Sequence, residues 1–377
     1  MDTEFLDRFG YYVVCGKKYY NKLEAFSVAY KQGYHPHWYF HEHDFDSIDW
    51  KIEPEKPLSQ LYRARALSLR EKYDIIILNF SGGADSSTVA EIFLQNNIKI
   101  DYLFNRSAIE SLSRRDLGKD EANRYAETLH AAWPLYQEYK KIQPDLELIV
   151  YDYSKDALRF WEENRNLNPY SVNNYAPDLG LKININRYFE DKFPNQRVCY
   201  LHSIDKPIVF FKEGTFQLCF MDQFFLQQVP STEIFREKGI DMDTFFWSPG
   251  SKELLCKQAH VVKRYFKENP DQISLINRFP TRCDPDLWKD LMNGLIYHRA
   301  KKNLWQVEKA DRRWQLMSYQ FITKNDSLGS RLYQEFYDSY EQEVVNMFGG
   351  HDMKSLYKRD LFDGLPSCFS KMYDLGA

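Results

Sequence analysis

Apolar and polar positions divide the chain into three regimes. In the first, a short β-branched run (Tyr12-Val13-Val14-Cys15) predicts a strand, and residues 22–31 predict a helix. A histidine- and tryptophan-rich segment follows. Pro54 and Pro57 then precede a stretch whose Leu58, Leu61, Ala64, Leu67 and Leu69 fall near helical spacing, predicting a helix over residues 58–72. The second regime opens at Asp74. Ile75-Ile76-Ile77-Leu78-Asn79-Phe80 is apolar without alternation, the pattern of a central parallel strand covered on both faces. A glycine loop leads into a helix over 84–96, a strand over 98–104, a long helix over 119–140 interrupted at Pro134, a strand over 146–151 and a helix over 155–164. Strand and helix alternating at this spacing predict a parallel βαβ sheet. Beyond about residue 195 a strand over 198–201 precedes a hairpin, 208–211 and 216–220, turning at Lys212-Glu213-Gly214-Thr215. Residues 251–349 read as mainly helical, broken at Pro270, Pro280 and Pro285, and 365–377 reads as loop.

The expected fold class is therefore α/β: a Rossmann-like parallel sheet with an N-terminal α+β extension and a mainly helical C-terminal region. The expected units are residues 1–71, 72–230 and 231–377. At 377 residues and 44% apolar the chain is large enough for such a core, and 16% aromatic residues predict ring-rich walls. The formal charge of −4 supplies no global field to attract nucleic acid. Six dispersed cysteines without a CxxC pair suit a reducing compartment. The acidic start MDTEFLDRFGYY lacks a basic, then apolar leader, and no apolar run is long enough for a bilayer. Cytoplasmic residence without membrane contact is the expectation, with a homo-oligomer left open.

The chemistry concentrates at Ser81-Gly82-Gly83-Ala84-Asp85-Ser86-Ser87. Gly82 and Gly83 permit a sharp turn and a close approach of phosphate oxygens to backbone N–H groups. Ser81, Ser86 and Ser87 add hydroxyl donors, and the helix from Ala84 points its free N–H groups at an anion. Asp85 repels a phosphate directly, so its expected task is to hold Mg²⁺. No GxxxxGK[ST] pattern exists, so this is not a Walker A loop.

These residues match an SGGxDS signature, and over about residues 72–155 the chain resembles the PP-loop ATP pyrophosphatases. That resemblance implies a sheet of the PP-loop (HUP) type, with ATP and Mg²⁺ as cofactors. It implies cleavage of ATP between the α and β phosphates, with AMP passing to a carboxylate, amide or carbonyl oxygen before a nucleophile displaces it. Carried over, Ser81, Gly83, Ser86 and Ser87 would contact pyrophosphate and Asp85 the metal. The backbone near Leu103, Phe104 and Asn105 would contact adenine. A later cation would cover the pyrophosphate, with Lys206 preferred to Arg197 and Asp205 read as a turn residue.

Among relatives, sulfonucleotide reductases use a cysteine in a Glu-Cys-Gly context, which Pro366-Ser367-Cys368-Phe369 lacks. Thiolating tRNA enzymes use cysteine pairs, absent here. The glutaminase of asparagine synthetase has a cysteine after Met1, where this chain has Asp2, and 7-cyano-7-deazaguanine synthase has a zinc-binding cysteine cluster. The expectation is a ligase that adenylates a small-molecule acceptor for a nitrogen nucleophile. A sulfur-transfer or sulfonucleotide-reductase-like PP-loop enzyme and a non-catalytic nucleotide-binding subunit are the alternatives.

Three further groups stand out. His35, His37, His41 and His43 have metal-capable spacing, yet Trp38, Phe40, Phe45 and Trp50 interleave with them, which favours packing. Ser113-Arg114-Arg115 and Lys119 follow the second strand and suit either an anionic substrate or a solvated helix start. Arg299, Lys301, Lys302, Lys309, Arg312 and Arg313 with Trp305 and Trp314 form the best nucleic-acid patch, but a solvated helix face is favoured over that partner.

Overall fold

The computed structural model describes residues 6–107, 128–152, 189, 192–222, 240–277, 285–297, 361–362, 365–366 and 368–377. Near the N-terminus, β1 (Tyr11–Val14) lies antiparallel between β2 (Lys17–Tyr19) and β3 (His37–Tyr39). Between β2 and β3, α1 (Lys22–Gln32) begins at Asn21, whose side chain accepts from Glu24 N at 3.0 Å. It ends at Gly33 with a φ of 71°. A single helical turn, α2 (Glu42–Phe45), and the longer α3 (Leu58–Lys72) follow. α3 has the predicted bounds and buries Leu58, Leu61, Tyr62, Ala66 and Leu69 on one stripe.

The central sheet starts with β4 (Ile75–Asn79), whose Ile76, Ile77 and Leu78 are completely buried. α4 (Ala84–Gln95) leads to β5 (Tyr102–Ser107), and a π turn at Thr128–Ala132 opens α5 (Trp133–Ile142), which leads to β6 (Glu147–Asp152). Pro134 is the second residue of α5, directly after the π turn, so the helical path changes character at the proline where an interruption was predicted; residues 119–127 lie outside the described residues. β7 (Val198–His202) is buried along its whole length. The hairpin of β8 (Ile208–Lys212) and β9 (Thr215–Cys219) turns on Glu213 and Gly214, whose φ values of 53° and 82° are those of a type I′ turn. β10 (Ile240–Thr244) completes the central sheet. Its five strands are all parallel in the order β10-β7-β4-β5-β6, so the α/β, Rossmann-like expectation holds.

Three boundaries differ from the sequence reading. The second strand starts at Tyr102, not residue 98. Asn97 is left-handed and Ile98 N donates to Phe93 O, which caps α4, while the Asp101 carboxylate takes Ile76 N at 2.8 Å in place of a ladder bond. β10 belongs to the sheet although it lies beyond the expected boundary at 230. Its alternating Asp241 and Asp243 obscured it, and these pair with Arg8, Arg65 and Lys72. The tail is not loop either: β11 (Leu361–Phe362) and β12 (Leu365–Pro366) pair, and β13 (Tyr373–Gly376) joins β9 as the third strand of an outer sheet.

In the region read as helical lie α6 (Lys252–Glu268), α7 (Ser274–Asn277) and α8 (Pro285–Ile296); 278–284 and 298–349 lie outside the described residues. The helix predicted over 155–164 lies outside the described residues. Among those described, no helix is long and apolar enough to cross a membrane.

The histidine-rich segment packs as expected. Trp38, Phe40 and Phe45 are completely buried, and Phe45 stacks on Phe220 with centroids 4.8 Å apart. His35, His37 and His43 are exposed, and His37 pairs with Glu42. His41 turns inward, with Nε2 2.9 Å from Arg8 O, an arrangement in which Nε2 carries the proton. Burial pushes its pKa below the ordinary histidine value, against the pull of Asp44. His260, 2.9 Å from Trp50 O, is lowered by burial as well. Beneath this layer the fully buried Asp222 accepts from Tyr12 at 2.5 Å, Lys22 at 2.8 Å and Cys368 N at 3.1 Å, tying β1, α1 and the tail together.

Asp222→Ala would strand the Lys22 ammonium in the interior. Urea unfolding should show a loss on the order of 3–5 kcal/mol. The histidines give a second expectation. The unfolded chain takes up their protons first, so native stability is complete above about pH 6.5 and declines as pH falls below that value. Unfolding free energies measured from about pH 7.5 to about pH 5.5 should show this decline, flattened in His41→Asn, which tolerates the left-handed backbone at this position.

Candidate functional site

The chain leaves β4 towards β5 and β6, returns, and leaves β7 towards β10. The two excursions depart in opposite directions, which opens a crevice at the carboxyl ends of β4 and β7, the place where doubly wound sheets receive ligands. The glycine loop forms one wall. Asn79 and His202, the last residues of these strands, meet at 3.3 Å below it.

Phe80, just before the loop, is clamped to β5. Its N donates to Phe104 O at 2.8 Å, and its O accepts from Asn105 Nδ2 at 2.8 Å. Gly82 then turns with a φ of 71°, and a Cβ there would lie 2.6 Å from the backbone of Ala131 and Ala132 in the π turn. Gly82 is thus required both by its conformation and by the close approach of that turn. Gly83 has a φ of −71°, open to any residue, and precedes α4 as its cap. Ser81 Oγ accepts from Gly83 N at 3.2 Å and lies 3.4 Å from Ser86 Oγ. The first helical bond runs from Ser87 N to Gly83 O, so Ala84, Asp85 and Ser86 place their N–H groups ahead of it. Ser87 differs from expectation as a phosphate donor: its N–H and hydroxyl both donate to Gly83 O, and it is completely buried.

The opposite wall is the loop between β7 and β8. Phe246 N and Trp247 N both donate to Ile204 O, at 3.2 and 3.0 Å, which pins this loop to the segment after β10. The loop delivers Lys206, whose buried ammonium donates to Asp85 Oδ1 and lies 3.6 Å from Asp205 Oδ1. Burial works against the ammonium, but the Asp85 and Asp205 carboxylates outweigh it and hold its pKa above the ordinary lysine value. Asp205 also accepts from Lys206 N at 2.6 Å, the turn role expected for it. A third group reaches the same point: Tyr297, following α8, donates to Asp85 Oδ1 at 2.7 Å. Burial, then Asp85 and Asp205, push this phenol far above its ordinary pKa.

The fold therefore brings Ser81, Gly82, Gly83, Ala84, Asp85, Ser86 and Lys206 together. It does not do so for Arg197, which pairs with Asp74 at 2.8 Å at the amino end of the sheet. Phe104 and Asn105 lie inside β5, because the strand continues to Ser107 beside a six-residue partner. Asn105 also accepts from Thr128 at 2.6 Å, so it braces the loop from behind and is not the exposed strand end expected to meet adenine. Among the described residues no three His, Cys, Asp or Glu side chains gather as a metal-capable group, the four N-terminal histidines included. Ser113-Arg114-Arg115, Lys119 and the patch at 299–314 lie outside the described residues. The sequence reading missed Tyr297, whose surroundings, Gly294-Leu295-Ile296-Tyr297, carry no motif.

No protein-family model matches the chain, and no curated protein matches it.

Gly82→Ala tests the loop. The left-handed backbone alone should cost about 1 kcal/mol, and the clash with the π turn adds to it. Thermal unfolding should register the loss, and an unchanged midpoint would contradict the observed contact.

Proposed function

We propose that this chain is a PP-loop ATP pyrophosphatase that cleaves ATP to AMP and pyrophosphate. It adenylates an acceptor carboxylate or carbonyl for coupling to a nitrogen nucleophile. The observation that carries this reading is the meeting of Lys206 and Asp85 across the crevice, at the mouth of a loop built from backbone and hydroxyl donors.

The chemistry follows from the donor set. A polyphosphate seated on the loop would receive the N–H groups of Ala84, Asp85 and Ser86 and the hydroxyls of Ser81 and Ser86. Lys206, held cationic, would stabilise the charge that gathers on the departing pyrophosphate. Asp85 and Asp205 are hard oxygen donors on either side of Lys206, which fits Mg²⁺: that ion takes one or two carboxylates and fills its shell with phosphate and water. Mg²⁺ held there would neutralise phosphate charge. Lys206 is buried and held cationic by two carboxylates, which suits it to an electrostatic role. The acceptor-coupling half of the reading rests on the loop signature and the missing cysteine motifs, with a small molecule as the acceptor.

The test is incubation of the full chain with ATP, Mg²⁺ and an acceptor pool from cell extract. AMP and pyrophosphate should accumulate, whereas ADP and phosphate would refute α–β cleavage. Tight ATP binding without either product would instead support a non-catalytic nucleotide-binding subunit. Lys206→Met should weaken ATP binding by on the order of tenfold to a hundredfold, read by equilibrium titration.

A further inference from the structure

Two donors converge on one carboxylate oxygen, and they differ in kind. Lys206 is an ammonium on a loop; Tyr297 is a neutral phenol fixed from three sides. Tyr62 donates to Ile296 O at 2.7 Å and is itself held by Gln258 at 3.0 Å, which anchors the backbone next to Tyr297. The Tyr297 ring stacks on Phe246, with centroids 5.4 Å apart and planes at 25°. Phe246 in turn bonds the loop that carries Lys206. The Lys206 ammonium lies 5.1 Å from the centre of the Tyr297 ring, so the ring lines the path of that cation.

An incoming polyphosphate competes with Asp85 for the ammonium, because both are anions seeking the same cation. It has far less pull on a phenol whose partner is already a carboxylate. We propose that Tyr297 is a positioning residue: it keeps the Asp85 carboxylate in place while Lys206 passes from Asp85 to the phosphates. Asp85 is then ready to take Mg²⁺ at the moment its first partner leaves. This inference rests on the nucleotide reading above, and it adds a residue from outside the parallel sheet to the site. It also gives α8 a task at the crevice, since the helix ends where the phenol must stand.

The experiment is equilibrium binding of α,β-methylene ATP to the full chain and to Tyr297→Phe, with Mg²⁺ titrated from none to saturation. The variant should need about tenfold more Mg²⁺ for half-maximal effect, while the metal-free affinity changes by less than about twofold. A merely structural role would lower the melting temperature and weaken binding equally with and without Mg²⁺, and that pattern overturns the inference. Phe246→Leu keeps the phenol but removes its stacking partner, and should shift the Mg²⁺ midpoint in the same direction. If the native chain responds to Mg²⁺ and neither variant shifts the midpoint, this inference falls and the nucleotide reading stands. If the native chain shows no Mg²⁺-dependent binding, both fall.

Discussion

Parallel strands cannot be joined by tight turns, and the order β10-β7-β4-β5-β6 makes the chain reverse its direction of travel between β4 and β7. Everything at the candidate site depends on that reversal. It separates the loop after β4 from the loop after β7 at the same end of the sheet, so backbone donors face a lysine across a gap. The buried strands enforce the geometry. With Ile76, Ile77, Leu78 and all of β7 shielded from water, neither strand can shift its register without exposing apolar surface.

Among the described residues, three buried charge pairs fasten distant parts of the chain. Lys22 with Asp222 joins the N-terminal layer to the segment after β9, and Asp222 also accepts from Cys368 N of the tail. Arg65 with Asp243 joins α3 to the edge strand, where Arg65 also donates to the carbonyls of Thr244 and Phe245. Lys206 with Asp85 joins the two sides of the crevice. The first two have anions that are 0% and 10% exposed, whereas the Asp85 side chain is 34% exposed. Opening either of the first pairs would strand charge in an apolar interior. In the third the carboxylate is the accessible member, while Lys206 is only 5% exposed, so its ammonium would need another anion in order to leave Asp85. The same chemistry that holds the fold together elsewhere is here left accessible.

The π turn adds a constraint of a different kind. Its backbone closes on Gly82, and Thr128 at its start bonds Asn105, which in turn holds Phe80. The loop is therefore supported from below by β5 and from the side by the π turn that opens α5. Such π turns inside helices recur at functional sites.

The residues alone determined the apolar strand, the loop and the helix after it, since local pattern and glycine placement act within a dozen residues. They also determined α3 and the β8–β9 hairpin, where helical spacing and a Glu-Gly turn leave little choice. They pointed to Lys206 only through resemblance. What tertiary structure decided were relations between segments remote in the chain. These are the placement of β10 beside β7, the capture of the tail by β9, the banishment of Arg197 to the far end, and the arrival of Tyr297 on an aspartate 212 positions earlier. No periodicity records which partner a side chain will meet across such distances. A tyrosine after an amphipathic helix reads as core in sequence, and only the packed molecule shows its hydroxyl standing beside the glycine loop.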